Sequence, residues 1–325
     1  MTTSPSDLGP LGVHLNDPLV ADVLVNGDGR VFVEREGSLL DTGRRLGRPE
    51  VELLIERAVM PLGRRVDRAS PIVDARLPDG SRFHAVVPPV AVDGPVVSVR
   101  RFSVVPLALE AWCSPSVAEL LRTVVRGGWN LLVSGGTGVG KTTLLNSLAG
   151  SLPPGARVVT VEDAAELRLD ATHVVRLEAR PANAEGAGEV TVRDLVRAAL
   201  RQRPDRLVVG EVRGPEALDL LQAFNTGHAG AMATIHANSG ADALRRLETL
   251  VLMADVGLPL PAIRAQVGRA IDVVVHVERH RSGRRIASVA EVHEGDDPSA
   301  SVRLLADGSR VVAAPSRPMR IGEED

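Results

Sequence analysis

Cysteine occurs once in this chain of 325 residues, at Cys113, so no disulfide can form within it, and a reducing cytoplasm suits it. No histidine lies near Cys113 in the sequence, which argues against a thiol nucleophile there. Tyrosine is absent, and two tryptophans with four phenylalanines leave few platforms on which nucleic-acid bases could stack. The formal net charge of −3 offers no global attraction to a phosphate backbone. Long apolar runs are missing too: no stretch of about 18 uncharged apolar residues occurs, so no membrane-spanning helix is expected. The opening MTTSPSDLGPLGVHLND has neither the cationic start nor the apolar centre of a signal peptide. Apolar content of 44% and charged content of 24% are instead those of a globular protein, and the length suits two domains.

Lysine is the most telling shortage. Of 38 basic residues, 37 are arginine and one is lysine, Lys141. An ammonium is a compact charge on a flexible stem, and this chain keeps one at a single position. That position closes a glycine-rich loop. Trp129 to Leu148 reads WNLLVSGGTGVGKTTLLNSL: an apolar strand-like run, the loop, then helical spacing through Leu144, Leu145 and Leu148. Gly135, four residues, then Gly140-Lys141-Thr142 satisfies G-x-x-x-x-G-K-[ST] in the strand-before, helix-after context it requires. Glycines 135, 136, 138 and 140 would allow positive φ and close backbone approach, turning successive N–H groups toward a phosphate chain. The expected nucleotide-binding set is Gly135, Gly136, Thr137, Gly138, Val139, Gly140, Lys141, Thr142 and Thr143. Lys141 would reach the β- and γ-phosphates of ATP, and the Thr142 hydroxyl would hold Mg²⁺.

The rest of the chain is placed around that loop. Residues 1–18 read as a mobile lead-in. Residues 19–103 alternate short apolar strands with one helix near Pro49 to Met60, a small α+β domain. Residues 104–113 read as a linker and 114–293 as an α/β domain with a mostly parallel sheet. Its expected strands are 131–134, 157–162, 173–178, 206–211 and 231–236, alternating with helices at 191–201, 215–224 and 241–254. From Ile271 a small antiparallel addition is expected, and residues 294–325 read as a tail of open role. In a doubly wound sheet the ligand lies at the carboxyl ends of the strands, and polar groups gather there. Glu162 and Asp163 follow one strand, Glu211 another, and His236 a third. Glu211 is placed to order Mg²⁺ or polarise the attacking water; His236, to contact a γ-phosphate. Arg176 and Arg180 could face phosphate from within this domain, and Arg82 and Arg100 from the first.

These residues closely resemble those of the secretion and pilus-assembly ATPases, in particular the CpaF/TadA branch. The resemblance runs from about Val20 to Val292. SPIVDARLPDGSRFHAVVPP and DGPVVSVRRF resemble the family's first domain, SGGTGVGKTTLLN its Walker A loop, and VTVEDAAEL its acidic box. RPDRLVVGEVRGPEALDLLQAFNTGHAGAMATIHANS resembles its Walker B and histidine boxes. The resemblance implies a RecA-like P-loop domain behind a small PAS-like α+β domain. It also implies a homo-hexameric ring that couples ATP hydrolysis to motion, and docking on inner-membrane platform proteins from the cytoplasmic side. By carry-over, Lys141, Glu162, Glu211 and His236 are catalytic. Thr142, Glu166 and Glu211 hold Mg²⁺, and His228, Arg176, Arg180, Arg82 and Arg100 approach the nucleotide. A RecA-like nucleic-acid motor would use the same loop and glutamate; the shortage of aromatics and of positive charge disfavours it, and no nucleic-acid partner is expected. A regulator with a degenerate site is disfavoured because Lys141, Thr142 and Glu211 are all in place.

Overall fold

The computed structural model describes residues 8–35, 38–101, 107–182, 187–280, 283–295 and 301–321. The chain divides into two units, Met1–Val105 and Pro106–Asp325. The first holds α1 (Gly12–Leu15), β1 (Val20–Val25), β2 (Arg30–Arg35), β3 (Ser38–Arg45), α2 (Arg48–Val59), β4 (Ile72–Arg76), β5 (Arg82–Val86) and β6 (Val96–Arg100). Its strands form one antiparallel sheet in the order β3-β2-β1-β6-β5-β4. Alternate residues Val23, Val25, Phe83, Ala85, Val97 and Val99 are buried with Val51, Leu54, Ile55 and Ala58 of α2, as the period-2 and helical patterns require. The β1–β2 turn needs glycine: Gly29 has φ +84°, and a Cβ there would sit 2.1 Å from the Leu46 carbonyl oxygen.

Two expectations are corrected in this unit. From Leu8 onward the supposed lead-in is packed, with Leu8, Leu11 and Leu15 buried in the core of the unit; residues 1–7 lie outside the described residues. Arg101 holds this segment in place by donating to the carbonyls of Asp17 and Val20. Strand β3 was not foreseen, because SLLDTGRR is exposed almost throughout and lacks a buried alternation.

The second unit holds α3 (Pro115–Arg126), β7 (Leu131–Gly135), α4 (Lys141–Ala149), β8 (Val158–Glu162), β9 (Val174–Glu178), α5 (Val192–Leu200) and β10 (Arg206–Val209). It continues with α6 (Glu216–Asn225), β11 (Met232–His236), α7 (Gly240–Leu252), α8 (Leu260–Ala270), β12 (Val273–His280), β13 (Gly283–Val292) and β14 (Val302–Ala306). The sheet order is β14-β13-β12-β7-β11-β10-β8-β9. Strands β12 through β9 in that order run parallel, and β13 and β14 extend the sheet antiparallel. Every residue of β7, β8 and β10 is buried, because helices cover both faces. One core lies against α5, α6, α7 and α8, the other against α3 and α4. Side-chain caps start two of the helices: Thr191 accepts from the Asp194 N–H while Asp194 accepts from that of Thr191, and Ser239 accepts from Asp242.

Three further expectations change here. Residues 107–113 are not a free linker, since Leu109 and Trp112 are buried in the second core; residues 102–106 lie outside the described residues. Strand β12 is a parallel member of the main sheet rather than part of an antiparallel addition, in keeping with its run of buried valines. The tail is built in as well. Strand β14 pairs with β13, and Ser316 to Ile321 return across the amino edge of the sheet. There Arg317 and Arg320 both bind the Asp272 carboxylate, Arg320 Nε at 2.6 Å, and Asp272 also accepts from Asn130 N–H at 2.8 Å. Glu291 accepts from the Ser316 and Arg317 N–H groups, the Ser316 hydroxyl and Arg303. Burial would raise its pKa, but those donors prevail and hold it down at about 2. Removing one member of a buried ion pair costs about 3–5 kcal/mol. Asp272→Ala should therefore lower the thermal midpoint by well over 5 °C, measured by circular dichroism; an unchanged midpoint would show the tail to be merely draped on the surface.

Candidate active site

Strand β7 delivers the phosphate loop to the carboxyl edge of the sheet, where Gly135 lies opposite His236 on one side and Val277 on the other. Two of its four glycines use the conformational freedom expected of them: Gly138 has φ +72° and Gly140 φ +94°. Gly135 is needed for space instead, since a Cβ there would meet the Val277 carbonyl oxygen at 2.5 Å. Gly136, Thr137 and Gly138 are exposed, whereas Val139 is buried and anchors the loop. Helix α4 begins directly after Gly140, so its first N–H groups and positive dipole end point into the loop.

Lys141 is the buried centre of this arrangement, only 8% exposed. Its Nζ donates to the Gly136 carbonyl at 2.8 Å and the Gly135 carbonyl at 3.1 Å. It also lies 3.3 Å from His236 Nε2. His236 Nε2 in turn lies 2.8 Å from Glu211 Oε1, and Arg213 Nη2 donates to Glu211 Oε2 at 2.5 Å. Arg213 further approaches Asp163 at 3.7 Å. Burial lowers the pKa of Lys141, opposed by Glu211 and reinforced by Arg213. Burial and then the Lys141 charge lower that of His236, so a neutral imidazole sits between ammonium and carboxylate. Lysine, histidine and glutamate thus come from three separate segments, β7–α4, β11 and the turn after β10. That turn is fixed in place: Val212 N–H donates to the Thr234 carbonyl at 2.8 Å and the Thr234 hydroxyl to the Gly210 carbonyl at 2.6 Å.

Glu162 ends β8, one strand beyond β10. Its Oε1 accepts from Glu166 N–H at 2.8 Å and Leu167 N–H at 2.9 Å. Its Oε2 is buried without a hydrogen bond. Gly210 packs against it, for a Cβ at Gly210 would lie 2.8 Å from Glu162 Cγ. Burial raises this carboxyl to about 7, more than the two backbone donors lower it, with Glu166 adding to the rise. Arg176 Nη2 donates to the Ala165 carbonyl at 3.4 Å and so supports the loop that carries Glu166.

The remaining expected residues have other surroundings within their own units. His228 precedes the amino end of β11 whereas His236 ends its carboxyl end, so His228 lies at the opposite edge of the sheet from this chain's own phosphate loop. Its Nδ1 is buried without a hydrogen bond. Arg180 donates to the Gly188 carbonyl at 2.7 Å, closing its own loop. Arg82 and Arg100 face each other on β5 and β6 of the first unit, and Arg100 pairs with Asp22 at 2.9 Å. Arg213, one of the polar groups that follow β10 in the sequence, carries no assigned role there. In a chain with 37 arginines only its spacing, two residues after the strand-end glutamate, could have singled it out.

Comparison with known proteins places this geometry. The family model for type II/IV secretion system proteins matches residues 5–293. The chain belongs to that family. Among its relatives, a putative conjugal transfer protein of Mycobacterium tuberculosis is 42% identical over 303 residues, covering 88% of this chain and 86% of the relative. The conjugal transfer protein TrbB of Rhizobium radiobacter is 35% identical over 87% of this chain and 86% of its own length. The ATPase DotB of Legionella pneumophila shares the fold, with a TM-score of 0.63 at 21% identity over 93% of this chain and 86% of that one. The family's α/β, RecA-like architecture is accordingly the one seen in the second unit, with the Walker-type loop on its central strand.

A pH-dependent stability follows from Glu162. Its carboxyl titrates near 4.5 when exposed and at about 7 when folded, so between those values the folded chain holds a proton that the unfolded chain has lost. Stability therefore falls as pH rises through that window and stays reduced above it. Glu162→Gln should melt higher than the wild type at pH 8, and the gap should close toward pH 4.5. A gap of equal size at both pH values would contradict the assignment.

Proposed function

We propose that the chain is a Mg²⁺-dependent ATP hydrolase of a secretion machine. The observation that carries this reading is the convergence of Lys141, His236 and Glu211 at one strand edge, with Nζ 3.3 Å from Nε2 and Nε2 2.8 Å from the carboxylate. The open N–H groups of the loop and the Lys141 ammonium suit the β- and γ-phosphates of ATP. In this reading the Thr142 hydroxyl, Glu166 and Glu211 would supply oxygen donors of the kind Mg²⁺ takes; bound there, the ion would neutralise charge on the phosphoryl oxygens. Lys141 is at present occupied by two loop carbonyls, and a phosphate would replace them with a stronger, charge-assisted partner.

Glu211 and Glu162 then divide the remaining work. Glu211 is ion-paired and ready to orient a water, with neutral His236 positioned to hydrogen-bond the γ-phosphate and sense its presence. Glu162 holds a proton near neutral pH, and its unpartnered Oε2 is the atom from which that proton would exchange during turnover. In this reading the chain works as a homo-hexamer on the cytoplasmic face of an inner membrane, docked on platform proteins. Arg82, Arg100, Arg176, Arg180 and His228 would reach a nucleotide through domain closure or from a neighbouring subunit. The conjugal transfer names of its relatives favour a role in conjugation-like export; the CpaF/TadA resemblance favours assembly of a tight-adherence pilus. No helix among the described residues is long and apolar enough to cross a membrane, so anchoring by partners fits this reading.

Lys141→Ala should weaken ATP binding at least a hundredfold, whereas Glu211→Gln should bind ATP nearly as well as the wild type and lose about 10²–10³ in kcat. Equilibrium binding and phosphate release, measured on both variants, check this. Turnover by Glu211→Gln at the wild-type rate would remove Glu211 from the chemistry.

A further inference from the structure

The β12–β13 hairpin leans over the phosphate loop on the side away from Glu211. A Cβ placed on Gly140 would fall 3.0 Å from Arg284 Cδ, 3.3 Å from Arg284 Nη1 and 2.9 Å from Trp112 Cη2. Those two side chains therefore flank the last residue of the loop, at the start of α4. Trp112 is fixed there: its indole N–H donates to the Ser147 hydroxyl of α4 at 3.1 Å, and its carbonyl accepts from Ile286 N–H of β13 at 3.0 Å. Arg284 is exposed. Among the described residues its guanidinium has no hydrogen-bond or ion-pair partner, unlike neighbouring Arg285, which pairs with Glu278 at 2.6 Å.

The register makes this unusual. Arg284 stands directly opposite Arg279 across the two strands, on the hairpin face that continues from the buried pair Val277 and Ile286. Like charges directly opposed destabilise a strand pair, unless an anion lies between or above them. The polarity of the site says which anion. Sheet order runs β12-β7-β11-β10, so Glu211 and His236 lie to one side of the loop and the hairpin to the other. A nucleotide laid across the loop with its γ end toward Glu211 would carry its nucleoside end toward the hairpin.

We propose that Arg284, backed by Trp112, is a nucleotide-binding residue that holds the α-phosphate of a nucleoside di- or triphosphate. The group rests on the nucleotide reading of the loop and extends it to the end of the ligand that hydrolysis leaves intact. Its contribution is affinity shared by ATP and ADP, independent of the γ-phosphate that His236 and Glu211 address.

The test is equilibrium binding of ATP and ADP to the full chain and to two variants, Arg284→Ala and Arg284→Glu. Glutamate would meet Arg279 across the strands and preserve the hairpin, and thermal denaturation confirms that each variant is folded. Arg284→Ala should weaken ATP and ADP binding alike, by about tenfold, the loss of one charge-assisted contact; Arg284→Glu should weaken both further. In turnover the fall in kcat/KM should appear in KM. Wild-type binding retained in Arg284→Ala, or a loss for ATP without one for ADP, would overturn the proposal while leaving the loop's role intact. Failure of the wild type itself to bind either nucleotide would instead overturn the reading of the loop.

Discussion

A single ammonium, buried where charge is costly, organises this molecule. Lys141 is surrounded by two carbonyl oxygens of its own loop and a neutral imidazole, with the nearest carboxylate one residue further out. Such a group is satisfied but weakly, and desolvation lowers its pKa accordingly. Everything that places it is rigid: a buried central strand beneath, α4 behind, and turns fixed by Thr234 and Val212 beside it. A polyanion is the ligand such a pocket is short of. That shortage, rather than any one contact, is what the fold maintains.

The place of the loop, between a buried strand and a helix, was legible from its spacing alone, because glycine, lysine and threonine at fixed separations encode a backbone conformation and a charge together. Glu211 and His236 were legible from position, as polar residues ending apolar runs in a parallel sheet. The place of Arg213 at this edge was legible in the same way, but its pairing with Glu211 was not. Arg284 carries no signal at all, since a guanidinium among 37 looks alike in sequence whatever it faces. His228 could not be placed that way: eight residues from His236, it shares a motif with it, yet a strand of about 16 Å separates the two edges they occupy within this chain.

The ends of the chain were misjudged for a common reason. Leu8, Leu11 and Leu15 give only one turn or so of helical spacing among proline, glycine and aspartate, and β14 with the following segment is short and arginine-rich. Local pattern is weak in both. Long-range partners decide them instead: the first-unit core for the leucines, and Asp272 and Glu291 for Arg317, Arg320, Ser316 and Arg303. The tail so fixed ties the end of the sheet to the segment that feeds β7, through the Trp129 indole N–H, which donates to the Pro318 carbonyl at 3.1 Å. Strand β12 was misplaced for a related reason, its hairpin with β13 being more visible than its parallel pairing with β7.

The central claim is that this edge cluster hydrolyses ATP within a ring. Steady-state phosphate release measured against protein concentration, alongside mass from light scattering with and without a non-hydrolysable ATP analogue, tests it most directly. The account predicts specific activity that rises with concentration together with a six-fold mass. Full activity in a monomer, or none at any concentration, would contradict it.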